Sequence, residues 1–325
     1  MESGKFEDLL NGYGAEKIPV LFIVSYDLED FHLIPLDSVP KDIRWSIGSV
    51  KDDGKGSSTR HMESPAYSFE SVEYAEYLPA FERVIEEIRR GNTYLLNLTF
   101  SSRFFCDMDL MEIYRRSDAL FKLYFKDRFV CFSPERFVDI DSDGKIRTYP
   151  MKGTIDASIP DAGEKILSDP KETAEHIMIV DLLRNDLNRV ARGVRVERFR
   201  YLQKIKAGER ELLQVSSRIC GDLGEGWNSR LGTIISRLLP AGSITGTPKR
   251  STVDIIDEVE SHERGFFSGV FGIFDGERVD SAVMIRFIEK GEDGLIYKSG
   301  GGITIDSDPY SEYMEMREKI YVPFL

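Results

Sequence analysis

The sequence predicts an α+β protein with large antiparallel sheets and helices packed outside them. Three observations point there. Apolar runs come in neighbouring pairs, as at residues 19–26 and 31–36, which read as a buried strand and its hairpin partner. Asp143-Gly144 supplies a turn signal between the strand-like runs 136–140 and 145–149. Helical stretches interrupt the strands at irregular intervals, so the steady βαβ alternation of a Rossmann fold or a TIM barrel is missing.

Taken in order, residues 51–66 are rich in Asp, Gly, Ser and Lys and read as a loop that closes a short N-terminal segment, 1–70, which lends strands to the sheet. The catalytic part is expected over 71–325. Tyr77, Phe81, Val84, Ile85 and Ile88 recur at spacings of three and four, which predicts a helix over 73–90 that Gly91 stops. A strand over 94–100, a helix over 109–120 and a strand over 129–133 follow. Residues 171–190 form the next helix, with Ile179, Leu182, Leu183, Leu187 and Val190 as its inner stripe and Glu175 on the same stripe. Strands are expected at 194–201 and 212–219, helices at 229–238 and 248–259, and strands at 266–274, 278–289 and 294–305. Asp308 then caps a last helix, with Pro309 at its first position.

Composition excludes several classes of function. The 325 residues are 41% hydrophobic, with 20 Phe and 14 Tyr, enough for a large core. A net charge of −13 leaves no basic surplus for nucleic acid. Three widely spaced cysteines and no CxxC argue against disulfides or a zinc knuckle and fit a reducing cytoplasm. Four histidines without HExxH argue against a histidine metal site. The N-terminus lacks the pattern of a secretory signal, and no run of about 18 apolar residues is present to span a membrane.

A few stretches carry candidate chemistry. Lys152 stands between Pro150 and Gly153 at the end of a strand, where its side chain is either a turn lysine or one presented to a cleft. Glu135, in the corner Ser133-Pro134-Glu135, is either paired with Arg136 or a general acid. Glu312, Glu315 and Lys319 share one face of the last helix, just after Gly300-Gly301-Gly302. With Glu175, they suggest a site for an anion and a hard cation such as Mg²⁺. Residues 239–250 look like a phosphate loop but fail its spacing, and Arg286 is either a surface arginine or a carboxylate binder.

These pieces stand in an order that resembles the chorismate-utilising enzymes. The matching stretches are residues 91–98, Ser133-Pro134-Glu135, Lys152-Gly153-Thr154, 175–187, 241–249, Arg286, and 300–319. The resemblance implies two stacked antiparallel sheets flanked by helices, with chorismate and Mg²⁺ in a central cleft. It implies Glu175 and Glu315 as metal ligands, with Glu312 beside them, and Glu135 as the acid that protonates the departing hydroxyl. Arg286, Lys319, Gly300 and Gly302 are implied as substrate contacts, together with Gly153, Thr154 and Ser243. Where isochorismate and salicylate synthases carry a water-activating lysine, this chain has Leu95. Lys152 resembles the lysine of the aminodeoxychorismate synthases, where anthranilate synthases carry alanine. The implied activity is therefore amination of chorismate at C4 through a covalent Lys152 intermediate, with ammonia from a separate glutamine amidotransferase subunit. A lowered pKa is expected for Lys152 as a buried lysine near Mg²⁺. An anthranilate synthase component I is the alternative within the family, and a non-catalytic chorismate- or nucleotide-binding protein the alternative outside it.

Overall fold

A computed structural model describes residues 2–48, 50–51, 65–207 and 210–324. Its strands form two nine-stranded sheets, antiparallel at each pairing. The first sheet runs Met151–Asp156 (β11), Arg210–Asp222 (β13), Lys145–Thr148 (β10), Arg136–Ile140 (β9), Val279–Val283 (β16), Val270–Phe274 (β15), Val20–Val24 (β1) and Phe31–Pro35 (β2). Arg192–Ala207 (β12) also pairs with β13. The second sheet runs Gly246–Thr247 (β14), Leu95–Cys106 (β6), Gly294–Ile303 (β18), Phe287–Gly291 (β17), Phe129–Ser133 (β8), Phe121–Phe125 (β7), Ile43–Ile47 (β3) and Val50–Lys51 (β4). Tyr67–Glu70 (β5) adds to β6. The helices are Glu2–Ala15 (α1), Tyr74–Arg89 (α2), Leu110–Arg116 (α3), Ala162–Ser168 (α4), Pro170–Asn188 (α5), Leu231–Leu238 (α6), Lys249–Val259 (α7) and Pro309–Glu318 (α8).

Strand alternation explains why β1 is apolar throughout. Leu21 and Ile23 point into the layer between the sheets, beside Phe271 and Ile273, and meet Trp45, Leu123, Phe125 and Phe129 of the second sheet. Val20, Phe22 and Val24 point the other way, against Phe6 of α1 and Leu231 and Ile235 of α6. Each such fully buried side chain contributes about 1.5–3 kcal/mol. Helices α2, α7 and α8 cover β6 and β18 on the outside of the second sheet.

Some expected elements differ. The single strand expected over 278–289 is two strands in different sheets, because the chain breaks at Arg286, whose φ is +53°. The helix expected over 109–120 stops at Arg116, and β7 begins at Phe121. Helices α1 and α4 were not legible in the periodicity. The loop expected at 51–66 lies, over 52–64, outside the described residues. Among the described residues no helix is long and apolar enough to cross a membrane.

One feature of the topology sets the site. The chain passes from the second sheet to the first between β8 and β9, through Pro134-Glu135, and returns between β16 and β17, through residues 284–286. Because β9 pairs with β16 and β8 with β17, the two crossings lie side by side. The Val283 N–H donates to the Glu135 carbonyl at 3.3 Å, and the Phe132 N–H to the Arg286 carbonyl at 3.1 Å.

Candidate active site

A cavity of about 550 Å³ opens where the sheets part. Glu135 and Arg286 face it from the two crossings, and Lys152, Gly153 and Thr154 from β11. Glu175 comes from α5, Ser243 from the turn before β14, Gly300 and Gly302 from β18, and Glu315 and Lys319 from α8 and its end. Lys152 is the second residue of β11 rather than the end of a strand, since β10 ends its pairing with β13 at Thr148 and Met151 begins the next. Gly153 (φ +89°) leaves room that a side chain would close: a Cβ there would stand 2.9 Å from Glu172 Oε2.

The acids come from helices that start alike. In α5 the Asp169 side chain accepts the Glu172 N–H at 3.0 Å, with Pro170 in the first turn. In α8 Asp308 accepts the Ser311 N–H at 2.8 Å, with Pro309 in the first turn. Both caps fix the entry of a helix whose first two turns deliver carboxylates to the cavity, near the positive end of the helix dipole.

Two ion pairs join residues that line the cavity. Lys152 Nζ lies 2.8 Å from Glu175 Oε2. Lys319 Nζ lies 2.7 Å from Glu315 Oε1 and donates to the Gly300 carbonyl at 2.9 Å. Burial pulls the Lys152 ammonium down, but Glu175, Glu315 and Glu172 outweigh it, so its pKa is raised. The carboxylate beside it thus holds the amine charged; the lowered value was expected of Lys152 near Mg²⁺. Burial works against the Glu315 carboxylate, yet Lys319, Lys152 and Lys171 hold it below the ordinary range. Burial pushes the Glu135 carboxyl up, against Ser243, Arg286 and Lys319. Arg136 does not pair with Glu135, since it grips Asp280 at 2.6 and 3.0 Å.

Among the described residues, three groups at the cavity keep unused hydrogen-bonding capacity: Arg286 Nε, Glu172 Oε2 and Ser299 Oγ are buried without a partner. Glu172 was not singled out in the sequence; its position three residues before Glu175, on the same helix face, is the signal that was available. Glu312 is the reverse case. It is buried but does not line the cavity, and its Oε1 accepts the Ser307 hydroxyl at 2.8 Å. Among the described residues no three His, Cys, Asp or Glu side chains stand close enough to hold a metal ion. The donor chemistry still fits Mg²⁺: Glu175 and Glu315 face one cavity with the unpartnered Glu172 oxygen nearby, and Mg²⁺ takes one or two carboxylates and keeps its waters. Lys249, the lysine of the loop at 239–250, turns from the cavity to Asp186 and the Leu238 carbonyl, so that loop presents no lysine to a phosphate.

A sequence family described as chorismate binding enzymes matches residues 41–324. An "Uncharacterized PabA-like protein" of Pasteurella multocida is 44% identical over 96% of this chain and 96% of its own length. Aminodeoxychorismate synthase component 1 of Klebsiella aerogenes is 31% identical over 75% of this chain and 56% of its own. Among solved structures, anthranilate synthase component I from Streptococcus pneumoniae superposes with a TM-score of 0.66 at 26% identity, over 79% of this chain and 59% of that one.

Proposed function

Because the chain belongs to the chorismate binding enzymes, we propose that it aminates chorismate at C4, as component I of an aminodeoxychorismate synthase. The observation that carries this reading is Lys152, which lines the cavity between the two crossings and the acids of α5 and α8. No base stands at the corresponding place on β6, where Leu95 lines the wall.

In this reading Arg286, with its free Nε, holds a substrate carboxylate. Glu175 and Glu315 would hold Mg²⁺, which when bound neutralises a carboxylate and draws electron density from the ring. Lys152 passes one ammonium proton to solvent and acts as a neutral amine. The amine adds to C2, the ring double bond shifts, and the C4 hydroxyl leaves as water with a proton from Glu135. Ammonia then adds at C4, the double bond shifts back, and Lys152 leaves C2 as a neutral amine. The new C4 ammonium returns a proton to the Glu135 carboxylate. The raised Glu135 pKa supports its role, because the acid must enter the step protonated.

Ammonia is proposed to come from a separate glutamine amidotransferase subunit. Cys131 and Cys220 are buried in sheet strands, which suits them poorly to attack glutamine. The deciding assay is incubation with chorismate, Mg²⁺ and ammonium. The expected product is 4-amino-4-deoxychorismate, and a Lys152 peptide should gain mass when ammonia is withheld. Fluorescent anthranilate formed without an added lyase would instead establish the anthranilate synthase reading.

A further inference from the structure

We infer that Asp186 and Lys249 form a clamp that sets Ser243 against Glu135, making Asp186 a positioning residue for the proton donor. The inference rests on the reading of Glu135 as the general acid.

Asp186 sits near the end of α5 and Lys249 opens α7. Their Oδ1 and Nζ atoms are 2.9 Å apart, and the side chains are only 11% and 15% exposed. Lys249 also donates to the Leu238 carbonyl at 2.9 Å, at the end of α6. Three helices are therefore tied at one ion pair. Neither residue lines the cavity, so neither touches substrate.

The turn at Gly242–Ile244 runs past this pair. Gly242 lies so close to it that a Cβ there would fall 2.5 Å from Asp186 Oδ2. The Asp186 carboxylate lies against the Gly242 backbone, and the next residue, Ser243, lines the same small cavity as Glu135 and lowers the pKa of its carboxyl. The connection is continuous from Lys249 through Asp186 and Gly242 to Ser243 and Glu135. The far end of the turn is held independently. Arg264 Nη1 donates to the Ile244 carbonyl at 2.9 Å, and the Asn97 N–H to the Thr245 carbonyl at 2.9 Å. Loosening the clamp thus frees the Gly242-Ser243 end while the turn stays anchored.

There is also space into which that end could relax. A second, small cavity of about 20 Å³ is lined by Asp186, Ala241, Ser243 and Glu135. It is large enough for about one water. An ion pair that served only to join helices would not need a glycine lying against its carboxylate.

The test uses D186N/K249M, which leaves no unpaired buried charge, and G242A, which keeps the pair but drives a methyl into it. Chorismate consumption with Mg²⁺ and ammonium is followed across pH. Both variants should lower kcat about ten- to a hundredfold, as expected for a displaced catalytic group. KM for chorismate should change less than about threefold. Ser243 lowers the Glu135 pKa, so the alkaline limb of kcat should move to higher pH in both variants, as in S243A. Adding S243A to either should cost nothing further, since both act through one hydroxyl. A parental kcat and alkaline limb in G242A, or losses that multiply with S243A, would overturn the inference. E135Q separates the two levels: if it keeps parental turnover, the general-acid reading falls, whereas a dead E135Q beside a parental G242A removes the clamp alone.

Discussion

An ammonium 2.8 Å from a carboxylate is well stabilised and poorly nucleophilic, and Lys152 is in that condition. The same contact that keeps it charged makes it responsive, because any cation that engages Glu175 removes the partner that raises its pKa. Lys152→Ala is expected to abolish amination at C4 while chorismate still binds, read by product analysis alongside equilibrium binding. Arg286→Lys tests the other end of the substrate. Replacing a planar fork by a point charge should raise KM for chorismate about ten- to a hundredfold, the worth of a charged hydrogen bond, with a smaller effect on kcat. An unchanged KM would remove Arg286 from substrate binding. The sequence made Lys152 and Glu135 visible because prolines and glycines flank them. Glu172 escaped because an acid on the first turn of a helix looks the same whether it faces solvent or a cavity. Glu312 was placed with the metal ligands because it shares a helix face with Glu315, but spacing could not reveal that Ser307 engages its carboxyl.

At the level of elements, the two Asp-Pro starts do more than begin helices. They decide where the carboxylates of α5 and α8 emerge, so a cap can be weakened without touching the acids themselves. Asp169→Ala should destabilise the protein by about 1 kcal/mol. It should also weaken Mg²⁺ binding, measured by calorimetry without substrate, because Glu172 and Glu175 lie in the two turns that fray. A stability loss with unaltered Mg²⁺ affinity would separate the cap from the metal site. The cap of α8 was legible, as Asp308 and Pro309 sit where elementary helix chemistry asks for them, while the Asp169-Pro170 start of α5, ahead of the helix expected from 171, was not read. The break inside 278–289 was not. Residues on both sides of it are buried, so the apolar run continues across Arg286 while the chain changes sheets. The switch is written in one backbone angle, and an arginine at φ +53° leaves no trace in hydrophobic periodicity.

At the scale of the whole molecule, the sheets are joined by polar networks as well as by the core between them. Glu260 accepts the Thr99 N–H of β6 at 2.9 Å and pairs with Arg264 at 2.6 Å. Arg264 in turn lies over the Tyr26 ring, just beyond the end of β1, at 4.6 Å. Lys298 of β18 donates to the Glu263 carbonyl at 2.7 Å, and His262 meets Thr99 Oγ1 at 3.1 Å. His262 is therefore a proton-sensitive member of a junction between the sheets. Burial lowers its pKa, and Lys298 and Arg264 lower it further, while Glu260 opposes them. His32 and His176 are lowered by burial as well. A histidine with a lowered folded pKa is protonated first in the unfolded chain, so its contribution is complete above about pH 6.5 and declines as pH falls below that. Thermal stability should consequently drop between pH 7.5 and 5.5, scans run at about one-unit steps. In His262→Gln the drop should shrink by roughly 2 °C, since one titrating group has been removed from the balance. Buried carboxyls with raised pKa values, Glu135, Asp186 and Asp280 among them, act in the opposite sense and gain protons in the folded state first. Their effect is common to parent and variant, so the difference between the two pH profiles isolates the histidine. If the profiles run parallel through pH 6.5, the junction does not titrate through His262.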